Sequence, residues 1–232
     1  MQRLEELRGE LSEPGNTLLL NIDGNNIDQT QIPQIYGPYI RKVKWGTGIP
    51  HSHAADHWRN KLAADGILIF YDPKLSDRAP QIPKTVVALE EWGYDRISVN
   101  AAGASVAAMV AARRAATKSQ IVVDLSPGNL TEQLNKVEAA NSELPIDKQL
   151  IWMMCDSQDV ATVRASGEYA ITATGIYVPG THPPGVETRM TPAEARAAGA
   201  DEIAIGSSLS YAIGMTEEQA VLSALANLAG NR

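Results

Sequence analysis

The sequence predicts a single (β/α)8 barrel spanning residues 1–232, and three observations favour this fold class. Short, almost uninterrupted apolar runs alternate with Ala- and Leu-rich stretches of helical spacing, which is typical of a parallel sheet covered by helices. Eight such runs occur in 232 residues, which suits a closed barrel better than an open doubly wound sheet. No Gly-x-Gly-x-x-Gly follows a strand candidate and no Walker A loop is present, so a nucleotide-binding open sheet is not expected.

The eight strand candidates are short and rich in Ile, Val and Leu, as buried strands are. In chain order they are Thr17–Asp23, Ile40–Gly46, Gly66–Asp72, Arg96–Asn100, Gln120–Leu125, Gln149–Cys155, Tyr169–Thr174 and Glu202–Gly206. The helical patterns between them are His53–Ala64, Ile82–Trp92, Ser105–Thr117, Thr131–Ser142, Ser157–Ser166 and Thr216–Ala229. The charged segment of residues 1–12 is predicted to form a further helix.

Threonines mark three of the predicted helix starts. Thr191 is followed by Pro192 and Glu194, which predicts a capping box with proline at the first helical position. Thr131 and Thr216 are each followed by Glu and are predicted to be N-caps as well. The long segment Gly175–Arg189, rich in Gly, Pro and Thr, follows the seventh strand and is a candidate lid over a barrel site.

Composition narrows the functional classes. The net charge of −7 argues against nonspecific nucleic-acid binding, which needs a basic face. The single cysteine, Cys155, excludes an intramolecular disulfide and a cysteine-rich zinc site, and its apolar surroundings predict a buried hydrophobe rather than a nucleophile. No signal-peptide core or membrane-length apolar run is present, so we expect a cytoplasmic protein without a membrane partner.

Charged and polar residues stand where the apolar strands end. Asp72 and Lys74 close the third strand and Asp77 lies in the turn after it; Asp72 and Lys74 are two apart, so on extended chain they share a face. Because the carboxyl ends of barrel strands converge on one pocket, we expect these groups to meet the other strand-end side chains there. Those are Asp23, Lys44, Asn100, Ser126, Thr174 and Ser207.

Alternating ammonium and carboxylate groups in one pocket hold one another ionised. A carboxylate in such an array can be set against a negative group of a small-molecule substrate. A neighbouring ammonium can deliver a proton to the carbon where negative charge develops. The pattern therefore predicts an enzyme that moves a proton onto carbon.

The motif Asp72-Pro73-Lys74-Leu75-Ser76-Asp77 resembles the D-x-K-x-x-D motif of the orotidine 5′-monophosphate decarboxylase family. The segment Ile82-Pro83-Lys84-Thr85-Val86 is similar to the I-P-x-T-V that follows in that family. Asp23 and Lys44 stand at the family's first and second strand ends, and residues 190–206 look like its closing region. The resemblance spans nearly the whole chain and implies a barrel decarboxylase, a carbon–carbon lyase.

The resemblance also implies roles. Asp23 and Lys44 would hold the sugar and the charge network, Asp72 would lie against the departing carboxylate, and Lys74 would protonate the carbanion. Asp77 would reach into the neighbouring subunit's site, which implies a homodimer with shared active sites. No metal or organic cofactor is implied. The further substrate contacts that the family pattern suggests are Thr85, Ser126, Tyr177, Glu187 and Ser207.

One departure from the family concerns the substrate phosphate. The family places an Arg directly after the glycine of the eighth strand, whereas this chain reads Gly206-Ser207-Ser208. Arg189 is the remaining cation of the preceding loop, and Glu187 there cannot favour a dianion. We therefore hypothesise a nonphosphorylated or differently substituted substrate, such as a nucleoside-like acid, with a pyrimidine nucleotide as the other candidate.

Two other functions fit the same residues. One is a magnesium-dependent aldolase or decarboxylase of sugar phosphates from the same suprafamily, which shares the D-x-K-x-x-D motif. The other is a noncatalytic barrel that binds a ligand.

Several further residues invite a role. His51, His53 and His57 suggest a metal site, although a polar helix start near the pocket rim is the simpler interpretation. Trp45 follows Lys44 and is a candidate pocket wall. Asp124 is expected to face the barrel interior or a helix rather than substrate, and we assign it no role.

Overall fold

Eight parallel strands close into a barrel in the computed structural model, which describes residues 14–22, 37, 39–46, 53–125, 128–182, 188–210 and 214–230. Each strand pairs with its neighbours in chain order, and the last pairs with the first. The strands are β1 (Leu18–Ile22), β2 (Lys42–Gly46), β3 (Leu68–Leu75), β4 (Arg96–Asn100), β5 (Gln120–Asp124), β6 (Trp152–Asp156), β7 (Ala170–Thr174) and β8 (Glu202–Ile205). This confirms the predicted fold class, and all eight strand candidates contain their strand or overlap it.

Helices follow the strands in the described part of the chain. They are α1 (Pro14–Thr17), α2 (His53–Ala64), α3 (Ile82–Glu91), α4 (Val106–Ala115), α5 (Leu130–Ser142), α6 (Val160–Ser166), α7 (Pro192–Ala197), α8 (Ser207–Ser210) and α9 (Glu217–Ala229), with 3-10 turns at Ile146–Lys148 and Ser157–Asp159. The helix predicted for residues 1–12 lies outside the described residues. None of the helices described is long and apolar enough to cross a membrane.

Two of the three predicted threonine N-caps are confirmed. Thr191 and Thr216 both form complete capping boxes, with Glu194 and Gln219 as the reciprocal partners. The Thr131 prediction is wrong, because α5 begins one residue before it and its N-cap is Asn129, whose side chain accepts a hydrogen bond from the Glu132 N–H. Asn is as good an N-cap as Thr, so the helix starts at the earlier of two competent positions.

Strand alternation divides the apolar core into two layers. Residues that point outward pack beneath the helices in the larger cluster, which includes Leu18, Leu20 and Ile22 of β1. Residues that point inward fill the barrel in a smaller cluster: Leu19, Phe70, Val122, Trp152, Met154, Ala170 and Ala204. Both layers are almost fully buried, so the inward positions near either end of each strand are where polar groups can gather.

One such group lies where the strands begin. The Glu202 carboxylate is fully buried and pairs with Lys42 at 3.0 Å and Arg96 at 2.9 Å, while Thr172 donates to it at 2.9 Å. The Arg96 guanidinium also lies 3.8 Å above the Trp152 ring. Burial alone would raise the pKa of Glu202, but the charges of Arg96 and Lys42 and their hydrogen bonds hold it below its ordinary value. The apolar layer separates this cluster from the opposite end of the barrel.

Candidate active site

A cavity of about 270 Å³ opens where the strands end. Gly206, which follows β8, packs closely against β1, because a Cβ there would come within 2.8 Å of the Asn21 Cβ and 2.9 Å of its carbonyl oxygen. The walls come from β1, β2, β3, β5, β6 and β7, and the lining residues are Asn21, Lys44, Gly46, Asp72, Lys74, Asp124, Met154 and Thr174. The cavity is therefore polar, with two ammonium groups and two carboxylates in its wall.

Lys44 and Asp72 form the first ion pair of the cavity. Lys44 Nζ lies 2.6 Å from Asp72 Oδ2, and both side chains are buried, with exposed fractions of 7% and 4%. The strand register brings them together, since Lys44 is paired with Phe70 and Gly46 with Asp72 on adjacent strands. The other carboxylate oxygen, Asp72 Oδ1, is buried and has no hydrogen-bond partner among the residues that the structure describes. A buried oxygen in this state is available to a ligand group that can donate to it.

Lys74 and Asp124 form the second pair, at 3.1 Å between Lys74 Nζ and Asp124 Oδ2. Asp124 was expected to face the barrel interior or a helix and to have no role. It does point inward, but from the last position of β5 it borders the cavity. Asn100, opposite it on β4, donates to the same oxygen at 3.4 Å. Val122 and Asp124 are two residues apart and therefore share the inner face of β5. This spacing is the sequence signal that would have identified Asp124.

The electrostatics of Asp124 follow from its burial. Its side chain is only 7% exposed, and burial raises the pKa of its carboxyl above the ordinary value. The Lys74 and Lys44 ammonium groups act in the opposite direction, whereas the charge of Asp72 adds to the effect of burial. Lys74 differs from its three partners because its side chain is half exposed, so one side of its ammonium faces the open cavity.

The third strand reaches the cavity through an irregular segment. Tyr71 pairs with Ile97 but Leu75 pairs with Val99, so β3 advances four residues while β4 advances two. Within this bulge Lys74 has a left-handed backbone with φ 52°, and its N–H donates to the fully buried Ser98 hydroxyl at 2.8 Å. Asp72 and Lys74 thus share the cavity, but not as two positions of one extended strand. The bulge redirects Lys74, as bulges next to sites often do.

The remaining predicted residues divide into three groups. Asp23, Ser126 and Glu187 lie outside the described residues. Asp77 is exposed beyond the cavity, while Thr85 on α3 and Tyr177 after β7 are half-buried and are not in its wall. Ser207 is exposed at the start of α8 and accepts a hydrogen bond from Arg189 Nη1 at 3.0 Å. A guanidinium therefore stands beside the position after β8 where the sequence has no arginine.

Three other residues were singled out in the sequence. Trp45 is no pocket wall: it is 1% exposed, points outward and packs edge-on against Tyr94. Cys155 is buried as predicted, and burial, with the charges of Asp159, Asp156 and Asp124, raises its pKa to about 12. His57 is exposed on α2 and contacts the Trp58 ring.

The three histidines near the start of α2 were considered as a possible metal site. His51 and the side chain of His53 are outside what the structure describes. Among the described residues, no group of three His, Cys, Asp or Glu is arranged to hold a metal ion.

Comparison with known proteins finds solved structures that are similar to this one. No protein-family model matches the sequence, and no curated protein matches it. Orotidine 5′-phosphate decarboxylase from Pyrococcus horikoshii is similar with a TM-score of 0.68 at 16% identity, over 92% of this chain and 99% of that one. The Lactobacillus acidophilus enzyme of the same name gives 0.67 at 16% identity, over 91% and 98%.

A third solved structure, an uncharacterized conserved protein from Geobacillus kaustophilus, gives a TM-score of 0.65 at 16% identity, over 91% of this chain and 99% of that one. Similarity at this level of identity shows a shared fold. The resemblance that the D-x-K-x-x-D motif predicts is thus confirmed for the fold.

Proposed function

We propose that this protein is a decarboxylase resembling orotidine 5′-phosphate decarboxylase, acting on a pyrimidine nucleotide or a related nucleoside-like acid. The observation that carries the proposal is the pairing of Lys44 with Asp72 at 2.6 Å and of Lys74 with Asp124 at 3.1 Å around one cavity. Alternating charges at the carboxyl ends of barrel strands suit a reaction in which negative charge appears on a substrate carbon.

The proposed reaction uses each side chain for one task. The substrate carboxylate would lie beside Asp72, whose second buried oxygen has no partner among the described residues, and two adjacent carboxylates raise the energy of the bound substrate. The bond to the carboxyl carbon breaks, CO₂ leaves, and the electron pair stays on the ring carbon. Lys74 then gives that carbon one proton and takes another from water through its exposed half. This sequence of steps needs no metal or organic cofactor.

The other predicted contacts complete the proposal. Asp23 would bind the sugar, and Ser126, Tyr177 and Glu187 would approach the substrate from loops. Thr85 and Ser207 would also contact the substrate. Asp77 would act across the interface of a homodimer, and its exposure leaves it available for this.

The contact between Arg189 and Ser207 bears on whether the substrate has a phosphate group. The expectation of a nonphosphorylated substrate depended on the missing arginine after Gly206. Because Arg189 brings a guanidinium within 3.0 Å of the Ser207 hydroxyl, a cation is available there after all. Guanidinium groups form bidentate hydrogen bonds with phosphate, so we favour a phosphorylated substrate over the corresponding nucleoside.

The test is CO₂ release from a panel of pyrimidine and sugar acids that includes orotidine 5′-phosphate and orotidine. We expect release from a pyrimidine acid, faster with the phosphate than without it. Lys74→Ala should slow release by about 10²–10⁴-fold, the usual contribution of a positioned proton donor. Lys61→Ala is the matched control, since Lys61 is a half-exposed lysine of α2 paired only loosely with Asp65 at 3.8 Å, and it should keep the wild-type rate. An unchanged rate in Lys74→Ala would refute the proposal.

A further inference from the structure

Two lysine ammonium groups share the wall of the cavity, and each disfavours the charge of the other. Lys44 is neutralised by Asp72, and its nitrogen is buried. Lys74 is half exposed, and its ammonium group carries the proton that the proposed reaction transfers. Whatever keeps Lys74 charged and aimed into the cavity therefore controls the reaction.

The sequence motif includes Asp77, which the resemblance assigns to the neighbouring subunit's site, whereas the described structure places another carboxylate of the same chain beside Lys74. Asp77 is exposed outside the cavity wall, three residues beyond Lys74. Asp124 lies 3.1 Å from Lys74 Nζ, and its own position is fixed because it is the buried end of β5 and its Oδ2 also accepts from Asn100.

We propose that Asp124 is the positioning residue for Lys74: its carboxylate keeps the Lys74 ammonium charged and directed into the cavity, and it does so from within the same chain. This inference rests on the proposed function only in taking Lys74 as the proton donor. Asp124 does not touch the reacting carbon; it acts through Lys74.

Several charged or titratable groups surround Asp124. Lys74 and Asp72 face it from β3 and Lys44 from β2, and the Cys155 thiol on β6 is near enough to respond to its charge. Burial raises the pKa of Asp124, so it takes up a proton at a higher pH than an ordinary aspartate. When it does, Lys74 loses its counter-ion next to Lys44. Acidification should therefore weaken the ion pair that orients the Lys74 side chain.

The experiment measures the pKa of Lys74 directly, by NMR titration of ¹⁵N-labelled lysine side chains assigned with Lys74→Ala. Asp124→Asn should lower the pKa of Lys74 by about 1–3 pH units, as expected for removal of an adjacent opposite charge. Asp124→Glu should restore much of it. Asp201→Asn is the matched control, because it also removes a carboxylate paired with a cation, Arg164 at 2.6 Å, at the strand-start end of the barrel. It should leave Lys74 unchanged.

The wild-type protein, with the Lys74 resonance already assigned, supplies a second measurement that needs no Asp124 variant to fold. The Lys74 nitrogen resonance should move in the same pH step in which the Asp124 carboxyl titrates, because the two groups are in contact. A Lys74 resonance that is indifferent to that step would overturn the inference. So would an Asp77→Asn variant that lowers the pKa of Lys74 when Asp124→Asn does not.

Turnover separates this inference from the proposed function. If a substrate is found, Asp124→Asn should reduce kcat by about tenfold or more, with a smaller change in KM, since it weakens a group used after binding. If no compound releases CO₂, the decarboxylase proposal fails while the Lys74 titration still decides the role of Asp124.

Discussion

Lys74 is the residue in which local strain and chemistry meet. A non-glycine residue at φ 52° is uncommon and costs free energy, and it persists only where its surroundings enforce it. Here the buried Ser98 hydroxyl accepts the Lys74 N–H, and Asp124 holds the side chain at its other end. The side chain is thus fixed at both ends although its own surface is half exposed, which suits the proposed role of Lys74 as a proton donor.

Glu90 shows a different use of a single carboxylate, in joining α3 to the segment before β5. It accepts hydrogen bonds from the N–H groups of Thr117, Lys118 and Ser119 at 2.7–2.9 Å, and from the Thr117 hydroxyl at 2.9 Å. Burial alone would raise the pKa of Glu90, but these donors outweigh it and lower the pKa. Its charged form therefore stabilises the folded protein.

Glu90→Gln should lower the free energy of unfolding by about 1–3 kcal/mol at pH 7, because an amide cannot accept from all of these donors. Since the folded-state pKa is depressed, the contribution of Glu90 is complete above the unfolded pKa of about 4.3 and is lost as the pH falls through the folded value. Urea unfolding of wild type and variant from pH 7 downward checks this, with the exposed neighbour Glu91→Gln as control. A gap that does not narrow in acid would contradict the explanation.

At the scale of elements, α5 shows how a helix start is chosen. Asn129 and Thr131 are both good N-cap residues by type, but the Asn129 side chain accepts from the Glu132 N–H and its amide donates to the Glu132 carboxylate at 3.0 Å. Thr131 is left as an exposed residue within the first turn. Capping at Asn129 rather than Thr131 adds two residues, Leu130 and Thr131, to the helix at no loss of hydrogen bonding.

Asn129→Ala should therefore reduce the free energy of unfolding by about 1 kcal/mol, the usual loss for an N-cap. Thr131→Ala should change it by no more than about 0.5 kcal/mol, as exposed substitutions do. Thermal or urea unfolding of the two variants side by side gives the comparison. Equal losses, or a larger one at Thr131, would show that the cap lies where the sequence pattern first places it.

At the scale of the whole molecule, the barrel interior has charge at both ends and apolar side chains between. Lys42, Arg96 and Glu202 close the end where the strands begin, and the two lysine–aspartate pairs line the end where they finish. In barrels of this class, function belongs to the second end and stability to the first. The buried Glu202 cluster is accordingly a structural feature of this molecule.

Glu202→Gln should lower the free energy of unfolding by about 3–5 kcal/mol, because it leaves two buried cations without their anion. Asp65→Asn breaks an ion pair whose two side chains are each 42% exposed, and should cost less than about 1 kcal/mol. Urea denaturation of both variants measures the difference. A Glu202 variant as stable as the Asp65 variant would mean that the buried cluster contributes no more than a surface pair.

The sequence alone determined the eight-stranded barrel, the capping box at Thr191, the N-cap at Thr216, and the meeting of Lys44, Asp72 and Lys74 in one pocket. These features follow from local periodicity and from the rule that strand ends converge. Only the tertiary structure decided that Lys74 meets Asp124, that the third strand bulges beneath it, and that Arg189 reaches Ser207. Such choices depend on register across several strands and on contacts between distant segments. Local alternation places Asp124 on the inner face of β5, but no local pattern pairs it with Lys74, because each such contact is settled by which side chains the closed barrel brings face to face.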